Sequence, residues 1–142
     1  MTIIQNNFDT LYTIASDYDL PIAVDDKMVI PTRNLGVIPG HPLNPTPAET
    51  IFIPKCYLVF EKVKKSIREL WHYVAEPAES GHFRTVESSI VIVDGPFPDI
   101  DEPVESFLIE GVMLVPHAWV SWDIESVSFY LGLTEKVYVV EK

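Results

Sequence analysis

The feature that most constrains the fold is the apolar pattern of residues 55–74. Apolar side chains recur there every three or four positions, with lysines between them. The recurring residues are Val59, Phe60, Val63, Ile67, Leu70, Trp71 and Val74. This period predicts an amphipathic helix with one buried face. The helix can begin at Pro54, because a proline in the first turn lacks only an N–H group that would have no intrahelical partner. Ile53 is a poor N-cap, so the helix could also begin a few residues later.

Residues 1–30 predict a short helix followed by a hairpin. Apolar residues at helical spacing place the helix within residues 7–17. These residues are Phe8, Leu11, Tyr12 and Ala15. The apolar runs 22–24 and 28–30 flank two aspartates and a lysine, which predicts the hairpin.

Residues 31–54 are rich in proline, with Gly36 and Gly40 among them. The prolines are Pro31, Pro39, Pro42, Pro45, Pro47 and Pro54. This density excludes a helix and a central strand, so we expect a long loop or a linker. A domain boundary here would leave about fifty residues before it, which is barely enough for a core. We therefore expect one domain, residues 1–142, with this loop wrapped across its surface.

The remainder of the chain predicts strands separated by turns. The predicted strands are residues 83–93, 106–115, 117–122, 127–133 and 137–140. Together with residues 55–74 they predict an α+β fold, in which an antiparallel β-sheet packs against a central amphipathic helix. The short N-terminal helix and the Pro-rich loop complete it.

Ile124 and Glu125 are expected to form a two-residue turn between the third and fourth of these strands. The alternation of side chains then defines two faces of the hairpin. The predicted core face holds Ala118, Val120, Trp122, Val127, Phe129 and Leu131. The predicted outer face holds His117, Trp119, Ser121, Ser128, Tyr130 and Gly132.

The formal net charge is -11, which is repelled by phosphate backbones and anionic lipid surfaces. We therefore expect neither nucleic acid nor a membrane as a partner. Residues 51–75 carry a net charge of +3, whereas residues 1–50 carry -4 and residues 76–142 carry -10. The basic stretch is either the solvated face of the predicted helix or a docking surface for an acidic partner or for an acidic face of the same chain.

The chain has one cysteine, Cys56, so it forms no internal disulfide. It shows no basic leader and no apolar run long enough to span a bilayer. These features predict a cytoplasmic protein in a reducing compartment.

Cys56 and His117 are the candidate catalytic residues. Cys56 would lie in the first turn of the predicted helix, where unpaired N–H groups and the macrodipole lower a thiol pKa. The alternative is a buried cysteine that acts as a small hydrophobic residue. His117 lies between apolar residues and needs a hydrogen-bond partner. Ser128 or Tyr130, on the same predicted face, could satisfy its ring or orient it toward Cys56.

Cys56, Glu110-Gly111 and His117-Ala118-Trp119 stand in an order that resembles papain-like and transglutaminase-like cysteine hydrolases, particularly small bacterial ones. The resemblance covers residues 53–133. It implies Cys56 as the nucleophile, His117 as the base and an aspartate further along to orient the ring. This chain has Ser128-Phe129-Tyr130 where that aspartate is expected.

The sequence predicts no metal site and no cofactor. The acidic residues of the loop 94–105 resemble a calcium loop only in composition, because prolines flank them and the required glycine is missing. They are Asp99, Asp101, Glu102 and Glu105. His72 and His82 lack ligand partners at zinc spacing. The glycines are scattered and form no phosphate-binding loop.

The sequence supports two functions about equally. The first is a small cytoplasmic thiol-hydrolase-like domain, active or degenerate, that acts on an amide, peptide or acyl bond. Its nucleophile is Cys56, its base is His117, and Ser128 or Tyr130 orients the base. The second is a non-enzymatic acidic interaction protein, of the inhibitor or immunity type, that covers a basic partner and exposes the acidic loop 94–105.

Overall fold

The structure is a computed structural model that describes residues 2–5, 8–75, 83–85, 89–115 and 117–133. These residues are almost all in β-strands. The strands are β1 (Thr2–Gln5), β2 (Leu11–Tyr12), β3 (Asp17–Tyr18), β4 (Ile22–Val24), β5 (Lys27–Val37), β6 (Ile51–Ala75), β7 (Phe83–Thr85), β8 (Ile90–Val93), β9 (Glu105–Met113) and β10 (Ala118–Leu133). Helical structure in the described residues is limited to one 3₁₀ turn, Phe8–Thr10.

Five of the strands pair in a closed circuit. β6 is antiparallel to β5 on one side and to β10 on the other. β10 is antiparallel to β9, β9 is parallel to β3, and β3 is antiparallel to β5. Strands that close in this way surround one core, and the circuit closes where the two residues of β3 pair with Val112 and Met113 at the end of β9. The shorter strands extend from it: β2 and β4 from β5, β1 from β10, and β7 and β8 from β6.

The predicted helix at residues 55–74 is wrong, and so is the α+β class. The whole segment belongs to the 25-residue strand β6. Its buried positions from residue 58 onward are Leu58, Val59, Phe60, Val63, Ser66, Arg68 and Leu70. Lys62 has a φ of 54°, and β6 has one residue more than β10 between Val63 and Lys65. Such irregularities shift the inward phase by one residue, so the spacing of apolar residues lengthens from two to three and imitates a helix.

The nearly all-β chain also conflicts with a papain-like fold, because no helix carries Cys56. Pairing with distant strands overrides the helical spacing of residues 55–74, because β5 and β10 supply hydrogen-bond partners for the backbone of β6 on both sides. In the described residues, no helix has the length and hydropathy needed to cross a membrane.

The N-terminal helix predicted within residues 7–17 is wrong as well. The chain makes the 3₁₀ turn and then enters β2 and β3. Phe8 packs edge-on against Phe107 and Phe129, with ring centroids 4.9 and 5.2 Å away. This aromatic packing and the pairing of β2 and β3 with β5 replace the helical contacts that the spacing suggested.

The predicted loop at residues 31–54 is wrong at both ends, which are strands of the central circuit. Pro31 lies in β5 and Pro54 in β6. Proline lacks a donor but keeps its acceptor, and the Pro31 carbonyl accepts a hydrogen bond from the Asp19 amide at 3.0 Å. The observed loop is residues 38–50. Asn44 holds it together by donating to the carbonyls of Val37 and Glu49, both at 2.8 Å.

The hairpin predicted at residues 22–30 is confirmed by the antiparallel pairing of β4 with β5. The strand predicted at 106–115 is confirmed as β9. The predicted strand 83–93 corresponds to β7 and β8, with residues 86–88 outside the described part of the chain. The predicted strand 137–140 also lies outside it.

The predicted turn at Ile124 and Glu125 is wrong, because β10 runs through it as one strand. The buried positions of the strand are even-numbered from Ala118 to Ser126 and odd-numbered at Phe129 and Leu131, and its register against β6 shifts beside Glu125. The predicted core face is therefore largely confirmed, although Val127 is only half-buried. The buried members are Ala118, Val120, Trp122, Phe129 and Leu131.

A buried ion pair ties β6 to the residue that follows β8. Arg68 donates from Nε to Oδ2 of Asp94 at 3.1 Å and from Nη2 to Oδ1 at 2.7 Å. Ser66 Oγ donates to Asp94 Oδ2 at 2.7 Å and accepts from Trp122 Nε1 at 2.8 Å. The side chains of Arg68 and Asp94 are 8% and 10% exposed. Three hydrogen bonds to the Asp94 carboxylate, two from Arg68 and one from Ser66, offset the cost of removing these charges from water.

We expect Asp94→Asn to lower the free energy of unfolding by about 3–5 kcal/mol, because it leaves the Arg68 charge buried without its counter-ion. Urea unfolding measures the change. The matched control is Asp99→Asn, an exposed carboxylate in the same loop, which should change stability by less than about 0.5 kcal/mol. Equal effects of the two substitutions would contradict the importance of the buried pair.

Candidate functional site

Cys56 lies within β6, opposite Thr32 of β5, and its side chain is 1% exposed. Burial raises the pKa of its thiol to about 12, because the thiolate would lose its hydration. A helix N-terminus would have lowered the pKa, but no helix begins there. The structure therefore presents Cys56 as a neutral, buried thiol.

His117 is exposed, in the turn between β9 and β10. Its ring lies 4.7 Å from the ring of Tyr73, centroid to centroid, and its carbonyl accepts from the Tyr73 amide at 3.2 Å. His117 thus belongs to the surface beside the end of β6, whereas Cys56 belongs to the core. An exposed imidazole and a buried thiol do not form the accessible nucleophile and base that thiol catalysis uses.

Ser128 and Tyr130 lie in the second half of β10, opposite Glu61 and Val59 of β6. They would have been close to His117 only if a turn had folded the chain back at residues 124–125. Because β10 continues instead, the structure does not bring them to the histidine. The Tyr130 ring faces Lys27, whose Nζ is 5.8 Å from the ring centroid, and its hydroxyl raises the pKa of Lys27.

The acidic residues of the loop 94–105 do not gather around a common point. Glu102 forms an ion pair with Lys62. Within the described part of the chain, no three His, Cys, Asp or Glu side chains converge as metal ligands would. His72 lies on β6, opposite Ala118 of β10, and His82 falls outside the described residues.

A different group of side chains stands together on the outside of β6, β10 and β9. Trp71 of β6 lies directly opposite Trp119 of β10. Two residues further, Ser121 lies between Glu69 of β6 and Glu110 of β9. Alternate residues of a strand share a face, so all five side chains are on the same side of the sheet. We call this surface the tryptophan face.

The outward direction of the tryptophan face follows from the burial of the residues between its members. Leu70 and Val120, which lie between them in sequence, are 0% exposed and point into the core. The five members of the face are all partly exposed. Two large indole rings therefore meet solvent side by side on the sheet, and neighbouring apolar side chains on a surface are typical of an interaction site.

Trp71, Glu110, Trp119 and Ser121 line an open pocket of about 290 Å³. Glu69 lies beside it and accepts a hydrogen bond from Ser89 Oγ at 2.8 Å. The faces of indole rings attract cations, and the carboxylates of Glu69 and Glu110 add to the attraction. The arrangement can therefore bind a cation of the size of a lysine or arginine side-chain terminus.

Two larger pockets lack this combination. One, of about 340 Å³, is lined by Asp9, Glu105 and the aromatic cluster that contains Phe8, Phe107 and Phe129, but the latter two rings are 5% and 3% exposed and belong to the core. The other, of about 500 Å³, lies between β4 and residues 95–98 and is lined by no tryptophan. The tryptophan face is the better candidate because two partly exposed indole rings lie beside its carboxylates.

Sequence reasoning assigned Trp71 to the buried side of a helix, although it correctly placed Trp119 and Ser121 on an outer face. The signal that could have found the site is the alternation of Glu69, Trp71 and Tyr73, which a strand puts on one side. No protein-family model, curated protein or solved structure is significantly similar to this chain.

Gly111, within the Glu110-Gly111 pair, is required where β3 approaches β9. Its φ is 151°, and a Cβ there would lie 2.6 Å from the Ser16 carbonyl oxygen and 2.8 Å from Tyr18 Cε2. The Tyr18 hydroxyl donates to the Glu110 carbonyl at 2.9 Å, so this contact helps to hold the backbone of the tryptophan face. The glycine is thus explained by packing.

We expect Gly111→Ala to destabilise the protein by about 2 kcal/mol or more, because the new methyl group meets backbone that cannot move aside. Gly40→Ala is the matched control, since Gly40 also has a positive φ, 102°, but nothing lies within 4 Å of its Cβ position. Its cost should stay near 1 kcal/mol. Thermal unfolding of the two variants would contradict this account if Gly40→Ala were the more damaging.

We expect Cys56 to react with iodoacetamide far more slowly in the native protein at pH 8 than in the urea-unfolded chain. Burial both blocks the reagent and raises the pKa of the thiol to about 12. His117→Ala should leave the native rate unchanged. A native rate with a pH midpoint below about 8.5 that falls in His117→Ala would instead support a catalytic pair.

Proposed function

We propose that this protein is a binding protein that recognises a basic protein partner through the tryptophan face. The observation that carries the proposal is the placement of two partly exposed tryptophans, Trp71 and Trp119, in the cross-strand row next to two carboxylates, Glu69 and Glu110. A lysine or arginine side chain fits both features. Its aliphatic stem packs on an indole ring while its charge meets the carboxylates.

The surrounding charge supports a basic partner. Asp123 and Glu125 continue the same side of β10 beyond Ser121. Lys65, the cation beside them on β6, lies 3.9 Å from the carboxylate of Asp123 and 3.5 Å from that of Glu125. The two carboxylates offset the positive charge of Lys65. The net charge of -11 extends the negative field of the protein beyond the pocket. Such a field accelerates the association of a basic protein.

The residue types of the face also suit protein recognition. Tryptophan and tyrosine are enriched among the residues that dominate binding energy at protein interfaces. Tyr73 lies on the same side of β6 as Glu69 and Trp71, and its ring packs against the tilted ring of His117 at the edge of the surface. The partner would thus meet a rigid aromatic strip on paired strands, which loses little conformational freedom on binding.

The thiol-hydrolase function stays a sequence-based prediction. It needs a thiolate that a substrate can reach, whereas Cys56 is buried with a pKa of about 12. The binding function uses only side chains that solvent reaches, so it accounts for more of the observed geometry. It also agrees with the acidic charge that motivated the interaction hypothesis.

We expect a capped lysine-valine hexapeptide, with lysine at its first and fifth residues, valine at its third and threonine at the others, to bind with a change in tryptophan fluorescence, and more weakly as salt is raised. The same peptide with glutamate in place of lysine should not bind. Glu110→Gln should weaken binding about five- to tenfold, because one carboxylate of the pocket is lost. Titration calorimetry measures each affinity.

The matched control for this experiment is Glu49→Gln, which makes the same charge change in the loop 38–50, away from the tryptophan face. It should alter the affinity by less than about twofold. Equal effects of Glu110→Gln and Glu49→Gln would show a diffuse attraction and remove the case for a specific pocket. Failure of the lysine peptide to bind at low salt would remove the proposal itself.

A further inference from the structure

β8 is an apolar edge strand. It pairs with Ile67–Leu70 of β6 and with no other strand in the described residues. Ile90, Val91 and Val93 are 53%, 58% and 70% exposed. Edge strands of natural proteins usually carry a lysine, a proline or a bulge that prevents further pairing. The four residues of β8 carry no charge and no proline, so nothing in the described part of the chain closes this edge to another strand.

The register of β8 makes it a continuation of the tryptophan face. Val91 lies opposite Glu69, and Val93 lies opposite Ile67. Both valines therefore point to the side on which Trp71 and Trp119 stand. A strand added beyond β8 would place its own alternate side chains in the same rows.

We propose that the basic partner docks by adding an extended segment to the free edge of β8. This inference rests on the proposed function and names how the partner binds. A lysine or arginine beside Val91 would lay its stem over the valine and direct its charge to Glu69. The added backbone would be two strand spacings from β6, roughly 10 Å, which a lysine and a glutamate side chain span together.

The side chains in the cross-strand row of Val93 determine which residue type the partner segment needs two positions after its cation. A residue two positions along the added segment would lie beside Val93, whose row contains Ile67, Asp123 and the exposed Leu108. Apolar side chains dominate this row, so an apolar residue fits it. The partner segment is thus an extended stretch in which a cation and an apolar residue follow each other at an interval of two.

Charge opposes a second copy of this chain as the occupant. Symmetric pairing of β8 with itself would bring together two molecules of net charge -11, each with Glu69 beside the junction. Like charges at that distance oppose association. A basic segment instead removes the repulsion.

A second apolar edge strand, β4, is a weaker candidate. Its Ile22 and Val24 are 55% and 62% exposed. The groove beside it is lined by Asp25 and by residues 95–98, among which two are prolines. A partner strand there would have no continuation of the tryptophan face to bind.

The test uses the lysine-valine hexapeptide in two N-methylated forms, one methylated at the first, third and fifth residues and the other at the second, fourth and sixth. Successive N–H groups of a strand point to opposite edges, so each form blocks one edge. Strand addition requires only one edge of the peptide. We expect one form to lose affinity at least tenfold and the other to stay within about threefold of the parent.

Equal affinities of the two methylated forms, whether both strong or both weak, would overturn strand addition. If both remain strong, the peptide binds by side chains alone and the proposed function survives. If the unmethylated parent fails to bind, the proposed function fails and this inference falls with it. A peptide-free dimer in sedimentation that Val91→Lys dissociates would assign the edge to a second copy and overturn the proposal.

Discussion

The pairing of β6 with β10 is the constraint on which the rest of the structure depends. It extends from Ala118 opposite His72 to Gly132 opposite Tyr57. The other side of β10 pairs with β9 and then β1, while the other side of β6 pairs with β5 and then β8. Backbone groups along both strands thus have partners on two sides, and the shorter strands are positioned by these two.

The same ladder joins stability to the proposed binding surface. Its inward side chains, such as Leu70 and Val120, form the core, while the residues between them form the tryptophan face. The buried pair of Arg68 and Asp94 acts at the edge, because Asp94 directly follows β8 and its amide also donates to the Ser66 carbonyl at 2.9 Å. The network therefore holds β8 against β6, which keeps a docking edge ordered before a partner arrives.

The sequence predicted those elements whose local pattern and tertiary environment agree. The hairpin at residues 22–30 and the strand β9 were predicted because simple alternation and turn residues persist there. Most of the core face of β10 was predicted because its inward phase changes near Val127, close to the turn that was wrongly expected at residues 124–125. The prediction failed where bulges change the phase of alternation, above all in β6 around Lys62. The prediction also failed at Pro31 and Pro54, which were taken as loop residues. A proline keeps its carbonyl as a hydrogen-bond acceptor, and these two lie in β5 and β6. The candidate site was predicted only in part, as Trp119 and Ser121 on an outer face.

The sequence by itself determined the acidic charge, the single thiol and the alternation within each half of β10, because these depend only on composition and on neighbours along the chain. The tertiary structure alone decided that residues 55–74 form a strand, that Cys56 is buried, and that Trp71 faces Trp119. Each of these depends on the register between segments distant in sequence, which backbone pairing and the burial of the opposite face select together. A thiol that sequence reasoning placed at a catalytic centre became a core residue, and a tryptophan assigned to the core became part of the surface.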